Sequence, residues 1–231
     1  MDTSTSPAPA PRTAAAGPLD ADALLFDLDG TLIDSTRATE ICWQEWSRQL
    51  GLGDHGEHPH GVPARDVVAA RVEPARRGQA LALIERLEVA QTEGIVIKEG
   101  VAALLAGLPA DRWAIVTSCT AELAAVRMEL AGIPVPSVLV TADSVSRGKP
   151  DPQGYLAAAA GLGVDPARTI VFEDAPAGVA AGNAAGARTV GITGTYDAGA
   201  LAASRIVATL DGTRVTAGPG GVGLQVFLPR A

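Results

Sequence analysis

The sequence predicts an α/β protein in which helices cover both faces of a parallel β-sheet, with a helical segment inserted after the first strand. Two observations support this fold class. From residue 99 onward, short β-branched strands alternate with helical segments, which is typical of a parallel sheet with crossover helices. Between residues 35 and 97 consecutive helical patterns interrupt this alternation, which indicates a separate helical cap.

On this pattern the chain divides into three parts. We expect a tail over residues 1–20, a core formed by residues 21–34 and 98–231, and a helical cap over residues 35–97. The tail is rich in proline, alanine and small polar residues, which cannot form a packed core, so we predict that it is disordered. It lacks the basic start and apolar centre of a signal peptide, and a docking segment for a partner is the alternative.

The composition narrows the classes of function. The net charge of −8 argues against general nucleic-acid binding, which requires a basic surface, but a local field still permits an anionic small substrate. Two cysteines, Cys42 and Cys119, make no disulfide framework and suit a reducing compartment. Because no apolar run reaches membrane-spanning length, we predict a soluble cytoplasmic protein without membrane or nucleic-acid partners.

The first core strand ends in two carboxylates, Asp27 and Asp29, followed by Gly30. Residues two apart on a strand point the same way, so both carboxylates can face one ligand. Placing two like charges together is unfavourable unless a cation or a proton is shared, which argues against a purely structural role. A calcium-binding EF-hand loop is excluded, because the sixth position counted from Asp27 is Leu32 and the twelfth is Ala38.

The cap is predicted to contain three helices, over residues 36–50, 64–72 and 74–92. A polar loop over residues 54–63 separates the first two and contains three histidines. No cysteine or second cluster completes a tetrahedral zinc site there. We therefore expect this loop to face solvent or substrate.

The remaining core is predicted to alternate regularly. Strands are expected at residues 113–116, 138–140, 169–172, 189–192 and 206–207, and helices at residues 101–106, 121–131, 152–160 and 178–185. A short segment at residues 198–203 precedes the last strand. Residues 214–228, with two adjacent glycines at positions 220 and 221, predict a terminal hairpin.

Polar residues follow the carboxyl ends of the later strands, where parallel sheets bind their ligands. Thr117 and Ser118 follow the second strand, with the next helix offering free N–H groups to an anion. Lys149 lies in a proline-stiffened turn after the third strand, and Glu173 and Asp174 follow the fourth. Taken singly, each could be a helix cap or a solvated lysine. Their convergence at successive strand ends is difficult to explain by capping alone.

These four signals resemble the four motifs of the haloacid dehalogenase (HAD) superfamily of phosphotransferases, and the match covers almost everything after the tail. The most specific signature is Asp-x-Asp-Gly-Thr-Leu-Ile-Asp-Ser, which begins at Asp27. The chain is most similar to the sugar and polyol phosphatases with a small helical C1 cap. The resemblance implies a Rossmann-like, HAD-like core. Supporting stretches are His60-Gly61, residues 91–95, 113–118, 147–152 and 173–178, and the terminal hairpin.

The resemblance implies a Mg²⁺-dependent phosphatase for a small phosphorylated sugar or polyol. Asp27 would attack the phosphorus and form an aspartyl-phosphate, and Asp29 would act as general acid and base. The expected Mg²⁺ ligands are the Asp27 carboxylate, the Asp29 backbone carbonyl and Asp174, with Glu173 binding directly or through water.

The resemblance also implies the residues that bind the phosphate. Lys149 and Thr117 would hold its equatorial oxygens, and Ser118 and the backbone near Gly30 would add donors. Cys119 lies beside the second motif, but no histidine in a matching segment activates it as a nucleophile, so we expect it to be a packing residue.

The candidates for substrate selection are the cap and hinge residues His60, Arg65 and Glu93. His60 and Glu93 have either a substrate contact or a structural role, and for Arg65 an exposed position on a helix is favoured. The cap loop over residues 60–64 departs from the family's usual sequences, and residues 99–101 replace its Pro-Gly-Ala. The choice among hexose, deoxyhexose, polyol and glycerol phosphates therefore stays open.

Two other functions are considered. A phosphosugar mutase of the β-phosphoglucomutase type would use the same aspartyl-phosphate, but Thr31 after the motif's glycine favours hydrolysis by resemblance, since those mutases typically carry valine there. A phospho-aspartate signalling domain without turnover needs neither an acid/base such as Asp29 nor a cap. A capped enzyme of this size can act as a monomer or a weak homodimer.

Overall fold

The computed structural model describes residues 17–53, 60–218 and 222–229. Most of the predicted tail lies outside this range. So do the first two histidines of the cap loop and the two glycines at positions 220 and 221.

The order of elements follows the predicted alternation. The elements are β1 (Leu19–Ala21), β2 (Ala23–Phe26), β3 (Ile33–Asp34), α1 (Thr36–Leu50), α2 (Ala64–Arg71), α3 (Arg77–Ala90), β4 (Val96–Ile97), α4 (Val101–Ala106), β5 (Trp113–Val116), α5 (Ala121–Ala131), β6 (Val138–Val140), α6 (Gln153–Leu162), β7 (Thr169–Glu173), α7 (Pro176–Ala184), β8 (Arg188–Ile192), β9 (Arg205–Val207), β10 (Arg214–Ala217) and β11 (Leu224–Phe227). Short 3₁₀ turns occur at Pro74–Arg76, Ala142–Ser144, Pro166–Arg168 and Ala198–Ala200.

A six-stranded parallel sheet forms the centre of the molecule, in the order β6-β5-β2-β7-β8-β9. Strand β2 is buried along its whole length, because alternate side chains enter cores on opposite faces. Leu24 and Phe26 pack with residues of α4 and α5, and Leu25 packs with residues of α6 and α7. The predicted fold class, with helices on both faces, is confirmed.

The position of β2 determines where a ligand can bind. Its neighbours β5 and β7 lie on opposite sides, so the strand order reverses at β2. The crevice beyond the carboxyl ends of the strands at such a reversal is the usual ligand site of an open α/β sheet. The residues directly after β2 therefore occupy the position most suited to chemistry.

The three cap helices have their own apolar cluster, which includes Trp43, Trp46, Val68 and Ile84. The indole N–H of Trp46 donates a hydrogen bond of 2.7 Å to the carbonyl of Ala80, which joins α1 to the start of α3. The short strands β3 and β4 form an antiparallel ribbon where the chain leaves and re-enters the core.

A second small sheet, in the order β1-β11-β10, contains the predicted terminal hairpin. The hairpin prediction is confirmed for the described residues, since β10 and β11 pair antiparallel. The predicted boundary of the tail is wrong, because Leu19 and Asp20 pair with Val226 and Gln225 as an edge strand. Leu19 and Asp20 lack a strand pattern of their own, and they are ordered by a partner far along the chain.

Candidate active site

Three buried carboxylates lie together beyond the carboxyl ends of β2 and β7. Asp27, Glu173 and Asp174 each offer an oxygen within 4.8 Å of the others. They are 3%, 0% and 1% exposed. The backbone N–H of Asp27 donates to the carbonyl of Phe172 at 3.0 Å, which continues the pairing of β2 with β7 beyond the strand and fixes the position of Asp27.

The electrostatics of this acidic cluster favour positive charge beside it. Burial raises the pKa of Asp27 well above its usual value, despite the neighbouring Lys149, and the charges of Glu173 and Asp174 raise it further. Burial and the charge of Glu173 also raise the pKa of Asp174 to about 7. Atom Oδ2 of Asp174 is buried and has no hydrogen-bond partner among the described residues. A buried carboxylate oxygen without a donor, beside two further carboxylates, suits a hard divalent cation such as Mg²⁺, so these residues fit that ion.

Lys149 is the cation that the cluster already contains. Its Nζ donates to Oδ1 of Asp27 at 2.5 Å and to Oε1 of Glu173 at 2.7 Å. Burial alone would lower the pKa of Lys149, but the charges of Asp27 and Glu173 raise it well above its usual value. Tyr155 donates to the same Glu173 oxygen at 3.1 Å, and the backbone N–H groups of Asp174 and Ala175 donate to the other. Glu173 is thus a fixed acceptor that holds Lys149 against Asp27.

Asp29 has a different environment from Asp27. Its Oδ1 accepts hydrogen bonds from Arg127 at 2.7 Å and Ser35 at 2.6 Å, and its Oδ2 accepts one from the thiol of Cys119 at 3.0 Å. Burial acts to raise the pKa of Asp29, but the charge of Arg127 and these donors outweigh it and lower the pKa below its usual value. The two carboxylates of the first motif therefore have pKa values shifted in opposite directions.

Arg127 is the main residue that the sequence prediction missed. It lies on the buried face of α5 together with Leu123, Ala124 and Met128, and its side chain is 4% exposed. A single cation at helical spacing within an apolar stripe was the signal that could have identified it, because a buried arginine needs an anionic partner.

Gly30 lets the first and fourth motifs approach each other closely. Its φ is 85°, and a Cβ there would lie 1.9 Å from Oδ2 of Asp174. Its own N–H donates to the carbonyl of Ile33 at 2.7 Å, and its carbonyl accepts from Lys98 at 2.5 Å. The N–H of Gly30 itself is therefore paired within the chain, and the phosphate contact of the backbone near Gly30 stays a prediction.

The two hydroxyl residues after β5 lie at the same edge of the sheet. Thr117 is 5% exposed, and its Oγ1 accepts the backbone N–H of Cys119 at 3.1 Å. Ser118 donates to the carbonyl of Gly61 at 2.9 Å, so it joins the core to the cap loop. Thr117 and Ser118 both line the same cavity as Asp27.

This cavity of about 200 Å³ lies between the cap and the core. Asp27 and Asp29 contribute to its core side. The other polar residues that line it include Thr39, His60, Arg65, Glu85, Glu88, Arg127 and Asp143. The charged and hydroxyl groups around the space beside Asp27 suit a polar ligand.

The three residues predicted to select the substrate have different positions. His60 lines the cavity and packs edge-on against Tyr196 of the core, with ring centroids 6.5 Å apart. The favoured expectation for Arg65, an exposed position, is wrong, because its guanidinium donates to the carbonyls of Ala142 at 2.7 Å and Val145 at 3.2 Å. Glu93 is exposed and is not among the described residues that line the cavity.

Comparison with known proteins agrees with this architecture. The chain belongs to the haloacid dehalogenase-like hydrolases, whose family model matches residues 21–186. That range contains the three carboxylates of the cluster, Lys149 and the cap.

Individual relatives indicate the kind of hydrolase to which this chain is similar. The chain is 42% identical over 184 residues to hexitol phosphatase A of Escherichia coli, a match that covers 75% of this chain and 83% of that protein. It is 36% identical over 194 residues to glycerol-1-phosphate phosphohydrolase 2 of Saccharomyces cerevisiae, covering 78% and 77%. Among solved structures, a hydrolase from Pseudomonas syringae superposes with a TM-score of 0.74 at 26% identity, covering 82% of this chain and 94% of that one.

In the part of the chain that the structure describes, no helix combines the length and apolar character needed to cross a bilayer.

Proposed function

We propose that this protein is a Mg²⁺-dependent phosphatase that hydrolyses a small sugar or polyol phosphate through an aspartyl-phosphate on Asp27. The observation that carries the proposal is the meeting of Asp27, Asp174 and Lys149 in one buried cluster beside the separately held Asp29. The similarity to enzymes named as hexitol and glycerol-1-phosphate phosphatases supports the substrate class.

Asp27 is assigned as the nucleophile. It lines the cavity next to Thr117, and the pairing of its backbone with β7 fixes its position. Lys149 holds the carboxylate and neutralises its charge before the substrate enters. When the phosphate arrives, Lys149 and Thr117 are placed to donate to its oxygens, where negative charge must be stabilised during transfer. The carboxylate then attacks phosphorus, and the alcohol leaves.

Asp29 is assigned as the general acid and base. In the absence of substrate its lowered pKa keeps it ionised, which suits removal of a proton from the water that attacks the aspartyl-phosphate. Protonation of the leaving alcohol requires Asp29 to carry a proton first. A dianionic phosphate beside the carboxylate raises its pKa, because like charges disfavour the ionised form. Substrate binding thus prepares Asp29 for its first step.

The residues proposed to hold Mg²⁺ are Asp27 and Asp174, together with the backbone carbonyl of Asp29. Glu173 belongs to the same cluster, but both of its oxygens already accept hydrogen bonds, so we assign it to hold Lys149 and to reach the ion through water. When bound, Mg²⁺ supplies positive charge beside the phosphoryl oxygens and lets two anions approach each other.

The domain organisation, the cellular location and the oligomeric state complete the proposal. We assign residues 35–97 to a cap that excludes water and selects the leaving group, and residues 21–34 and 98–231 to the core, to which Leu19 and Asp20 are added by their pairing with β11. Two buried free thiols, Cys42 and Cys119, are consistent with a cytoplasmic location. We propose a monomer or a weak homodimer without nucleic-acid partners, in keeping with the net charge of −8.

A panel of phosphorylated sugars and polyols, assayed for free phosphate with Mg²⁺, tests the function. We expect hydrolysis of at least one hexitol, deoxyhexose or glycerol phosphate, and loss of that activity in Asp27→Asn. Incubation with glucose 1-phosphate separates the phosphatase from a phosphosugar mutase. Accumulation of glucose 6-phosphate without free phosphate would overturn the phosphatase proposal. A phospho-Asp27 adduct that persists far longer than one turnover would instead indicate a signalling domain.

A further inference from the structure

Two buried charged residues of the cavity are not used by the proposed chemistry of Asp27, Lys149 and Asp174. Arg127 comes from α5 of the core, and Glu88 comes from α3 of the cap. Both side chains line the cavity, with exposed fractions of 4% and 9%.

The hydrogen bonds of this pair are incomplete. Arg127 donates through Nη1 to Asp29 at 2.7 Å and to Sγ of Cys119 at 3.3 Å, and through Nη2 to Thr39 at 3.1 Å. Its Nε is buried without a hydrogen-bond partner in the described part of the chain. Oε1 of Glu88 lies 3.7 Å from Nη2 of Arg127, which is longer than a hydrogen bond. The guanidinium thus has one N–H without a partner, and the Glu88 carboxylate, which also interacts with Trp43, can accept further hydrogen bonds.

A hydroxyl group has the chemistry that this pair lacks. It donates one hydrogen bond and accepts others, so it can donate to the Glu88 carboxylate while it accepts from the Arg127 guanidinium. Water can satisfy these groups in the empty cavity. An alkyl leaving group that displaces the water offers these groups no hydrogen bond in its place, and burying charged groups without their full set of partners is costly.

We propose that Arg127 and Glu88 form the recognition site for the leaving group and select phosphate esters whose alcohol carries further hydroxyl groups. The inference rests on the proposed phosphatase function and names the residues that choose its substrate. Because Arg127 also holds Asp29, a bound hydroxyl connects recognition of the leaving group to the residue that protonates it. Because Glu88 belongs to the cap, the same contact requires the cap to be closed.

The test compares esters that differ only in their hydroxyl groups. Glycerol 1-phosphate is paired with propyl phosphate, and sorbitol 6-phosphate is paired with hexyl phosphate. We expect wild-type kcat/KM to favour the hydroxylated member of at least one pair by about 100-fold or more, the scale of one hydrogen bond to a buried charge. Glu88→Leu should reduce that preference at least tenfold, because kcat/KM falls for the hydroxylated ester and does not fall for the alkyl ester.

Two further variants separate recognition from folding. Glu88→Gln retains an acceptor and most of the shape, so it should fold as the wild type does and keep part of the preference. Glu93→Gln changes an exposed glutamate that does not line the cavity, and its preference should equal that of the wild type. The contact can also be tested without turnover. Calorimetry should show that sorbitol 6-phosphate binds more weakly to Asp27→Asn/Glu88→Leu than to Asp27→Asn.

The outcomes distinguish the two proposals. A wild-type enzyme that hydrolyses no ester of the panel overturns the proposed function, and this inference with it. A wild-type enzyme that hydrolyses both members of each pair equally well leaves the phosphatase in place and overturns the recognition site. Equal losses for the hydroxylated and alkyl esters in both Glu88 variants would assign Glu88 a structural role and refute the inference.

Discussion

Removing the charge of Lys149 is expected to destabilise the protein far more than removing an exposed charge. The side chains of Lys149, Asp27 and Glu173 are only 5%, 4% and 0% exposed, so their charges are poorly solvated. Lys149→Met leaves the cluster without its cation, and breaking a buried pair in this way costs about 3–5 kcal/mol. We also expect kcat to fall by about 10²–10³, because a donor to the phosphate is lost.

The matched control for this variant is Arg168→Met. Arg168 also forms a short ion pair, with Asp22 at 2.5 Å, but its side chain is 52% exposed. An exposed pair contributes about 0–1 kcal/mol, so this variant should be nearly neutral. Urea unfolding followed by tryptophan fluorescence, without and with Mg²⁺, measures both. Mg²⁺ should narrow the stability deficit of Lys149→Met, because the ion then supplies the carboxylates with the positive charge that the variant lacks. Stability losses within about 1 kcal/mol of each other would refute this account of the cluster.

Three further results are expected. Burial raises the pKa of Glu88 to about 7 in the folded state, against the charge of Arg127. Between about pH 4.5 and about pH 7, Glu88 therefore keeps a proton in the folded state that it loses in the unfolded state. The free energy of unfolding falls as pH rises through this range, and Glu88→Gln should flatten that slope in urea titrations at several pH values. Gly30→Ala should abolish activity and lower the free energy of unfolding by about 2 kcal/mol or more, because its Cβ meets Asp174. Gly51→Ala, with φ 68° and open space around it, should lower the free energy of unfolding by only about 1 kcal/mol in the same titration. Chelation with EDTA should abolish phosphate release and lower the thermal midpoint, and added Mg²⁺ should restore both; a chelated enzyme with full activity would contradict the metal assignment.

The sequence was sufficient to predict the residues that follow the strands. Asp27, Lys149 and Asp174 come directly after buried strands or in the turn that follows them. In a parallel sheet the order of strands brings such positions together without detailed knowledge of packing. The helices of the cap were predictable for a similar reason, since their apolar spacing is local to each helix.

The sequence alone did not predict contacts between elements that are far apart along the chain. Arg127 contacts Asp29 only because α5 packs beside the first motif, and Arg65 reaches backbone carbonyls of the core only because the cap lies over it. Glu93 lies in the segment that returns to the core, but its side chain is exposed and is not among the described residues that line the cavity. Leu19 becomes a strand residue because β11 offers it an edge. These outcomes depend on which faces of separate elements pack together. Residue spacing within one element does not encode that packing.

The central claim is that Asp27 carries the phosphoryl group during turnover. Rapid acid quench of the wild-type enzyme with its best substrate and Mg²⁺, followed by peptide mass spectrometry, measures this most directly. We expect one added phosphoryl group on the peptide that contains Asp27, appearing before steady-state phosphate release. Asp27→Asn should show neither the adduct nor phosphate release. A phosphoryl group on another residue, or phosphate release by Asp27→Asn at the wild-type rate, would contradict the account.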